Sequence, residues 1–235
     1  MTAKNRITLL TICISFVFSA FCIITAFAHP DQSPEKLNNI YTYYVYTAND
    51  LNTLSQEVKN GNDFFGCTIN LMNNISLDKT NYCCIGSSEK EFNGTFEGNN
   101  HIIDYLNSEN GHGVFVGLFG KVGKYGVVKN VFLGKNSTIR GTAFVGGIAG
   151  YNDGLIYNCS SKANVSAKFG YVGGIVGFNS KNGRIFNCSL YCSDNSAKVT
   201  CDYNQFKPDD IFVGRNLGIM EKCKIFYLLP LPLGN

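Results

Sequence analysis

The side chains best able to do chemistry are few and scattered. Three histidines occur, His29, His101 and His112. A His-Glu-x-x-His zinc site needs two histidines one helical turn apart with a glutamate as base, and none of the three has that company. Two Gly-Lys pairs, Gly123-Lys124 and Gly134-Lys135, invite comparison with a phosphate-binding loop. That loop needs a glycine five residues upstream of the Gly-Lys pair, where Leu118 and Lys129 stand. Sugar cleavage needs two carboxylates on either side of one bond, or acids joined by a metal and a basic residue. The acids here are spread out: Asp153 stands before Gly154, but Asn182 holds the matching place before Gly183, and Asp209-Asp210 form an isolated pair. The expectation is therefore no catalytic residue, no metal and no cofactor. His101 is expected to hydrogen-bond structurally and His112, between two glycines, to sit in a turn.

The start of the chain reads as an address. Lys4 and Arg6 precede an uncharged apolar run over residues 7–28 that ends Ala26-Phe27-Ala28, a small-x-small cleavage pattern. Residues 1–28 are expected to be a cleaved signal peptide or, alternatively, an uncleaved anchor, since the run is just long enough to span a bilayer. Without it the net charge falls from +3 to +1, so no nucleic-acid partner is expected, and a membrane is a partner only if residues 7–28 are retained. The protein is expected to be secreted or on the cell surface. Of ten cysteines, Cys13 and Cys22 go with the leader. Eight thiols in an exported chain suggest disulfides, but eight allow 105 connectivities.

What must position any site is a repeat. Gly126-Val-Val-Lys-Asn-Val returns as Gly154-Leu-Ile-Tyr-Asn-Cys, Gly183-Arg-Ile-Phe-Asn-Cys and Gly218-Ile-Met-Glu-Lys-Cys, at spacings of 28, 29 and 35 residues. Upstream of each lies a second block: Val116-Gly-Leu-Phe-Gly, Val145-Gly-Gly-Ile-Ala-Gly, Val172-Gly-Gly-Ile-Val-Gly and a weaker Val213-Gly-Arg-Asn. In the first block the third column (Val128, Ile156, Ile185, Met220) and the sixth (Val131, Cys159, Cys188, Cys223) are apolar or Cys. A separation of three fits neither a flat strand nor a sustained helix face; it fits a chain turning a corner. The intervening Asn130, Asn158 and Asn187, followed by Lys222, suit that corner because Asn tolerates the left-handed backbone. The leading glycines are read the same way.

A unit of about 28 residues with short strands and Gly/Asn corners predicts one coil of an all-β, right-handed parallel β-helix, a solenoid of four to five coils. An antiparallel sandwich is the competing arrangement, but its hairpins would not demand equal spacing. Stacked cysteines of the sixth column are expected as buried thiols, since a bridge between adjacent coils would be strained. Thr47-Ala-Asn-Asp50 predicts a capping box for a short N-terminal helix with Leu51, Leu54 and Val58 on one face and Gly61 at its end. Such a helix would cover one open end of the solenoid. The expected divisions are a leader over 1–28, a cap over 29–89, repeats over 90–228 and a tail over 229–235.

These blocks resemble the GLUG-motif proteins, found in bacterial surface adhesins and in non-catalytic regions of secreted proteases such as IgA-specific metalloendopeptidases. The similarity extends upstream: a Trp-x-Pro-Ile-Gly-like turn is matched by Tyr82-Cys-Cys-Ile-Gly86, and a Phe-x-Gly-x-Phe-Asp-Gly-x-Gly-His-x-Ile-like coil by residues 92–103, with Tyr82, Cys84, Glu97 and Asn100 as departures. The resemblance covers about residues 40–225. It implies a passive scaffold without catalytic residues, and with no His-Glu-x-x-His the protease activity of larger relatives does not carry over.

Two functions are expected to compete. One is an exported, non-catalytic binding or adhesion module whose partner is a host-surface protein or glycan. The other is a polysaccharide-modifying β-helix enzyme, a lyase or hydrolase, or else an accessory fragment of a secreted protease. The 35-residue interval after Gly183 predicts a loop leaving the solenoid between Ser189 and Asp210, and insertions in repeat proteins often line the binding face. Its expected contact residues are Tyr191, Lys198, Tyr203, Phe206 and Lys207, with Cys192 and Cys201 placed to close it by a disulfide. Six glycosylation sequons occur, at Asn74, Asn93, Asn136, Asn158, Asn164 and Asn187; Asn158 and Asn187 are read first as corner residues.

Overall fold

A computed structural model describes residues 41–78, 82–108, 113–193, 199–201 and 211–228. The chain divides into units 1–39 and 40–235, and every described residue lies in the second. The expected leader and tail fall outside the described residues. Among the described residues no helix is long and apolar enough to cross a membrane.

The described chain winds as a parallel β-solenoid with five faces. Face 1 is a seven-stranded sheet of Thr42–Val45, Thr68–Leu71, Thr95–Glu97, Val127–Lys129, Leu155–Tyr157, Arg184–Phe186 and Ile219–Glu221. Face 2 has six strands, Ile75–Ser76, Ile102–Asp104, Phe132–Leu133, Ser160–Ser161, Ser189–Ser193 and Lys224–Leu228. Face 3 has four strands, Asn107–Ser108, Thr138–Gly141, Asn164–Ala167 and Val199–Cys201; face 4 has three, Phe115–Val116, Phe144–Gly146 and Tyr171–Gly173; and face 5 has four, Phe119–Val122, Ala149–Asn152, Val176–Asn179 and Val213–Asn216. The turns that begin at Thr95, Val127 and Leu155 each contribute one strand to every face, the turns at either end fewer, and the ladders between neighbouring turns are parallel. Because the register is kept from turn to turn, like residues stack: Phe96, Val128, Ile156, Ile185 and Met220 are successive partners on face 1. The first three turns that carry all five faces are residues 95–122, 127–152 and 155–179.

Side-chain alternation decides what faces inward. The expected core columns Val128, Ile156, Ile185 and Val131, Cys159, Cys188 are buried, whereas Met220 is exposed and Cys223 half-buried. The corner prediction holds at all four positions. Asn130, Asn158, Asn187 and Lys222 have φ of 56°, 54°, 51° and 54°, the left-handed region.

The leading glycines are a correction. None of Gly126, Gly154, Gly183 and Gly218 has positive φ; among the described residues the glycines that do are Gly61, Gly66, Gly86 and Gly170. The reason for glycine in this column is space. A Cβ at Gly154 would collide with the carbonyl oxygens of Gly126 and Gly123, and one at Gly218 with those of Gly183 and Ser180. The turns stack so closely here that one glycine rests on the carbonyl of another.

The helix, α1, spans Ala48–Lys59 with Thr47 as its N-cap. The capping box is formed: Asp50 N–H donates to Thr47 Oγ1 (3.2 Å) and Thr47 N–H to Asp50 Oδ2 (2.9 Å). Partial burial works to raise the Asp50 carboxyl, but hydrogen bonds from Tyr46 and Thr47 hold it below its ordinary value. Leu51, Leu54 and Val58 are buried in the same apolar core as Val45 and Ile69. The region read as a cap also contains the first two strands of face 1, so the sheet runs across the expected division at residue 89.

Candidate functional site

The loop expected between Ser189 and Asp210 is a correction as well. Residues 189–193 and 199–201 are strands in the ladders of faces 2 and 3, with Leu190 opposite Ser161 and Val199 opposite Val165. The extra chain is therefore divided. Five more residues separate faces 2 and 3 here than one turn earlier, and three more separate Cys201 from Val213 than Ala167 from Val176. Cys192 and Cys201 pack against the core on different faces, in register with Tyr227 and Ala167, and no bridge joins them. They are held by their own ladders instead of closing a loop. Of the expected contact residues, Tyr191 is placed on face 2, while Lys198, Tyr203, Phe206 and Lys207 lie outside the described residues.

Tyr191 belongs to a different constellation. Outward from face 2 run two columns. The first is Ile102, Phe132, Ser160, Ser189 and Lys224, in register across five turns. The second contains Tyr191 and Phe226, whose rings stack at 4.9 Å and 12°, with the Lys162 ammonium 5.1 Å from the Tyr191 ring centre. Beside them runs the Asn corner. Asn130 Nδ2 donates to Glu97 Oε1 (2.8 Å), Asn158 Nδ2 to Asn130 Oδ1, and Asn187 Nδ2 to Asn158 Oδ1 (3.3 Å). Where the first column passes from Phe132 to Ser160 and Ser189, the surface dips. The resulting open concavity of about 320 Å³ is lined by Phe132, Asn158, Ser160, Lys162, Asn187, Ser189 and Tyr191, among others, near the small end of ligand-sized sites.

A second outward cluster lies on faces 4 and 5. Phe144 touches Phe115 (5.0 Å), Phe178 (5.5 Å) and Tyr171 (5.8 Å), and Tyr151 stacks on Phe178 (5.2 Å, 12°). These half-buried rings cover one another, which makes them packing first.

The acids are engaged locally. Asp153 accepts from Ser180 and from Asn182 Nδ2 (3.1 Å), and Asp104 accepts from Tyr105 N (2.9 Å), Asn136 N (3.0 Å) and Asn136 Nδ2 (2.7 Å). Glu97 closes the Asn ladder. Partial burial raises its carboxyl, but hydrogen bonds from Asn130, Asn99 N–H and Lys129 outweigh this and hold it low. His101 Nδ1 lies 3.3 Å from Asn74 Oδ1, the structural kind of contact expected of it. Asn93 is buried and bonded to Asp63, Glu91 and Tyr125, which places that sequon out of reach of a glycan-adding enzyme in the folded state. In the cysteine column, a hydrogen bond to Cys159 raises the Cys188 thiol, and one to Cys188 raises Cys223; burial adds to both. Burial, with a smaller contribution from Cys83, pushes Cys84 up to about 11. Such thiols are poor nucleophiles at neutral pH.

Sequence reading missed Phe132, Ser160, Lys162 and Ser189. The signal was available one step beyond the apolar sixth column, where Phe132, Ser160 and Ser189 each follow Val131, Cys159 and Cys188. It also missed the interior ladder of Asn152, Asn179 and Asn216, in which Asn152 Nδ2 donates to Asn179 Oδ1 and Asn179 Nδ2 to Asn216 Oδ1, both at 2.8 Å.

Fold and surface together define a parallel β-solenoid with one Gly/Asn-cornered unit per turn. The unit is the one described as the GLUG motif: residues 145–166 match the model of that motif. Halomucin of Haloquadratum walsbyi is 31% identical over 113 residues, 48% of this chain and 1% of halomucin; the chain thus corresponds to a very small part of that relative. A crystal structure of a protein assigned as an immunoglobulin A1 protease from Bacteroides ovatus superposes with a TM-score of 0.51 over 87% of this chain and 70% of that one. At 18% identity that likeness concerns the fold alone.

Proposed function

We propose that the chain is an exported, non-catalytic binding or adhesion module acting at the cell surface or in the extracellular space. Its leader-like residues 1–28, its likeness to halomucin and its GLUG unit support the location. The observation that carries the binding role is the concavity over face 2, where polar, aromatic and cationic side chains from successive turns meet on one outward surface. A solenoid suits this task because it sets side chains at the fixed spacing of strands, about 4.8 Å per turn, on a rigid frame. Labelling intact source cells with a membrane-impermeant amine reagent tests the proposal. The chain is expected to label without lysis or to be recovered from the medium. Labelling only after lysis, with none in the medium, would remove the basis for an extracellular role.

A further inference from the structure

We propose that the concavity over face 2 is a subsite for a carboxylate-bearing saccharide, one uronic acid residue of a polysaccharide chain. The proposal rests on the binding-module reading and names its site and ligand class.

The shape comes from one column. Ile102 and Phe132 are large, Ser160 and Ser189 are small, and Lys224 is long, so the two serines form a floor between an apolar wall and a cationic edge. Among the described residues neither serine hydroxyl takes part in a protein hydrogen bond, and neither is a buried orphan, so both are open to a ligand. Each can donate one bond and accept two. Asn187 adds an amide at the corner, with its Nδ2 on Asn158 Oδ1 at a long 3.3 Å. Hydroxyl and amide groups on successive turns can each bond a different hydroxyl of one pyranose ring.

The charge comes from the other column. The described ion pairs are Lys121–Glu91 and Lys129–Glu97, so no described carboxylate neutralises Lys162. Its ammonium is held over the Tyr191 ring. That contact restrains a flexible side chain and reduces the entropy lost when a ligand binds. Lys222 over the Phe186 ring (4.9 Å) and Lys224 extend the positive edge along the next turn. Two turns before Lys162 in the same column, Asp104 lies against Gly134 and accepts from Tyr105 N, Asn136 N and Ser137 Oγ, so its carboxylate is already engaged. Within its lining the depression offers one cation, Lys162, among hydroxyl-binding groups, which complements a sugar carrying one carboxylate. A neutral sugar would leave the ammonium unused.

Calorimetric titration of the full chain with trigalacturonic acid, and with the same trimer fully methyl-esterified, tests this. The acid is expected to bind about tenfold more tightly than the ester, the scale of one charge-assisted hydrogen bond. Lys162→Gln should bring the acid down to the affinity of the ester. Ser160→Trp, which fills the floor, should abolish binding of both, while Lys59→Gln on α1 should change nothing. Circular dichroism of each variant checks the fold. Equal affinity for acid and ester, or no binding of the acid, overturns the ligand class. Wild-type affinity in both Lys162→Gln and Ser160→Trp overturns the site. Cell-surface labelling is read independently, so failure here leaves the extracellular module standing.

Discussion

The two ends of the described solenoid follow opposite rules. At the N-terminal end α1 lies in the core through Leu51, Leu54 and Val58, and behind it Phe64, Phe92, Phe96 and Phe119 form an aromatic plug with no more than 2% exposure. Phe119 meets Phe92 at 5.2 Å and Phe96 at 5.4 Å. At the C-terminal end the last buried core residues are Ile185, Cys188, Leu190, Phe212 and Val213, and the last described rung leaves Ile219 46%, Met220 41% and Tyr227 63% exposed. Val128 and Met220 hold the same column of the same repeat, yet one is sealed and the other is not. Position in a repeat specifies direction; burial needs a neighbouring turn on each side. Solenoids therefore depend on caps at their ends, and among the described residues only one end has such a helix.

The sharpest way to break this comparison is a pair of truncations. Leu51→Ala should destabilise by about 2–5 kcal/mol, because it opens a cavity beneath the cap. Met220→Ala should cost less than about 1 kcal/mol, because the side chain is already substantially in water. Urea unfolding of both variants measures the difference. Equal losses would show that the last rung is covered in solution and that the asymmetry is not a property of the molecule.

A second pair asks whether the asymmetry extends to polar ladders. Asn179 is fully buried and bonds to Asn152 on one side and Asn216 on the other. Asn179→Ala leaves Asn152 short of a partner and should cost about 1–3 kcal/mol. Asn216 lies at the exposed end, and Asn216→Ala should cost no more than about 0.5 kcal/mol. Thermal melts of the two variants give the ordering, and a reversed order would mean that the ladder is anchored from its open end.

Much of this frame was legible in advance because it is periodic. The Asn corners, the two apolar columns and the capping box at Thr47 and Asp50 are local or repeated signals, and each predicted a conformation that the structure contains. What stayed hidden was non-local. The glycine column is required by close stacking on the turn below, which no single unit displays. The extra residues after Gly183 read as one loop because spacing counts residues without showing that strands 189–193 and 199–201 keep their register. The face 2 site escaped because its members are ordinary Ser, Lys and Phe residues that become a site only when three turns are laid side by side.

The smallest expected effect lies at the charged end of the corner ladder. Its N-terminal member is Glu97, which accepts from Asn130 Nδ2 and Asn99 N–H, both at 2.8 Å, and pairs with Lys129 at 3.1 Å. The folded carboxyl is held below the ordinary glutamate value, so folding favours the ionised form. Its contribution to stability is therefore fully present above the unfolded glutamate pKa and is lost as the pH falls through the folded one. Between about pH 7 and 5 the stability gap between wild type and Glu97→Gln should be constant; below about pH 4.3, the ordinary glutamate value, it should shrink. Urea midpoints at pH 7, 5 and 3.5 for both proteins isolate this group, since the other acids cancel in the comparison. A gap that persists unchanged at pH 3.5 would show that the side chain acts through its shape and neutral hydrogen bonds, and that the ladder has no electrostatic anchor at its sealed end.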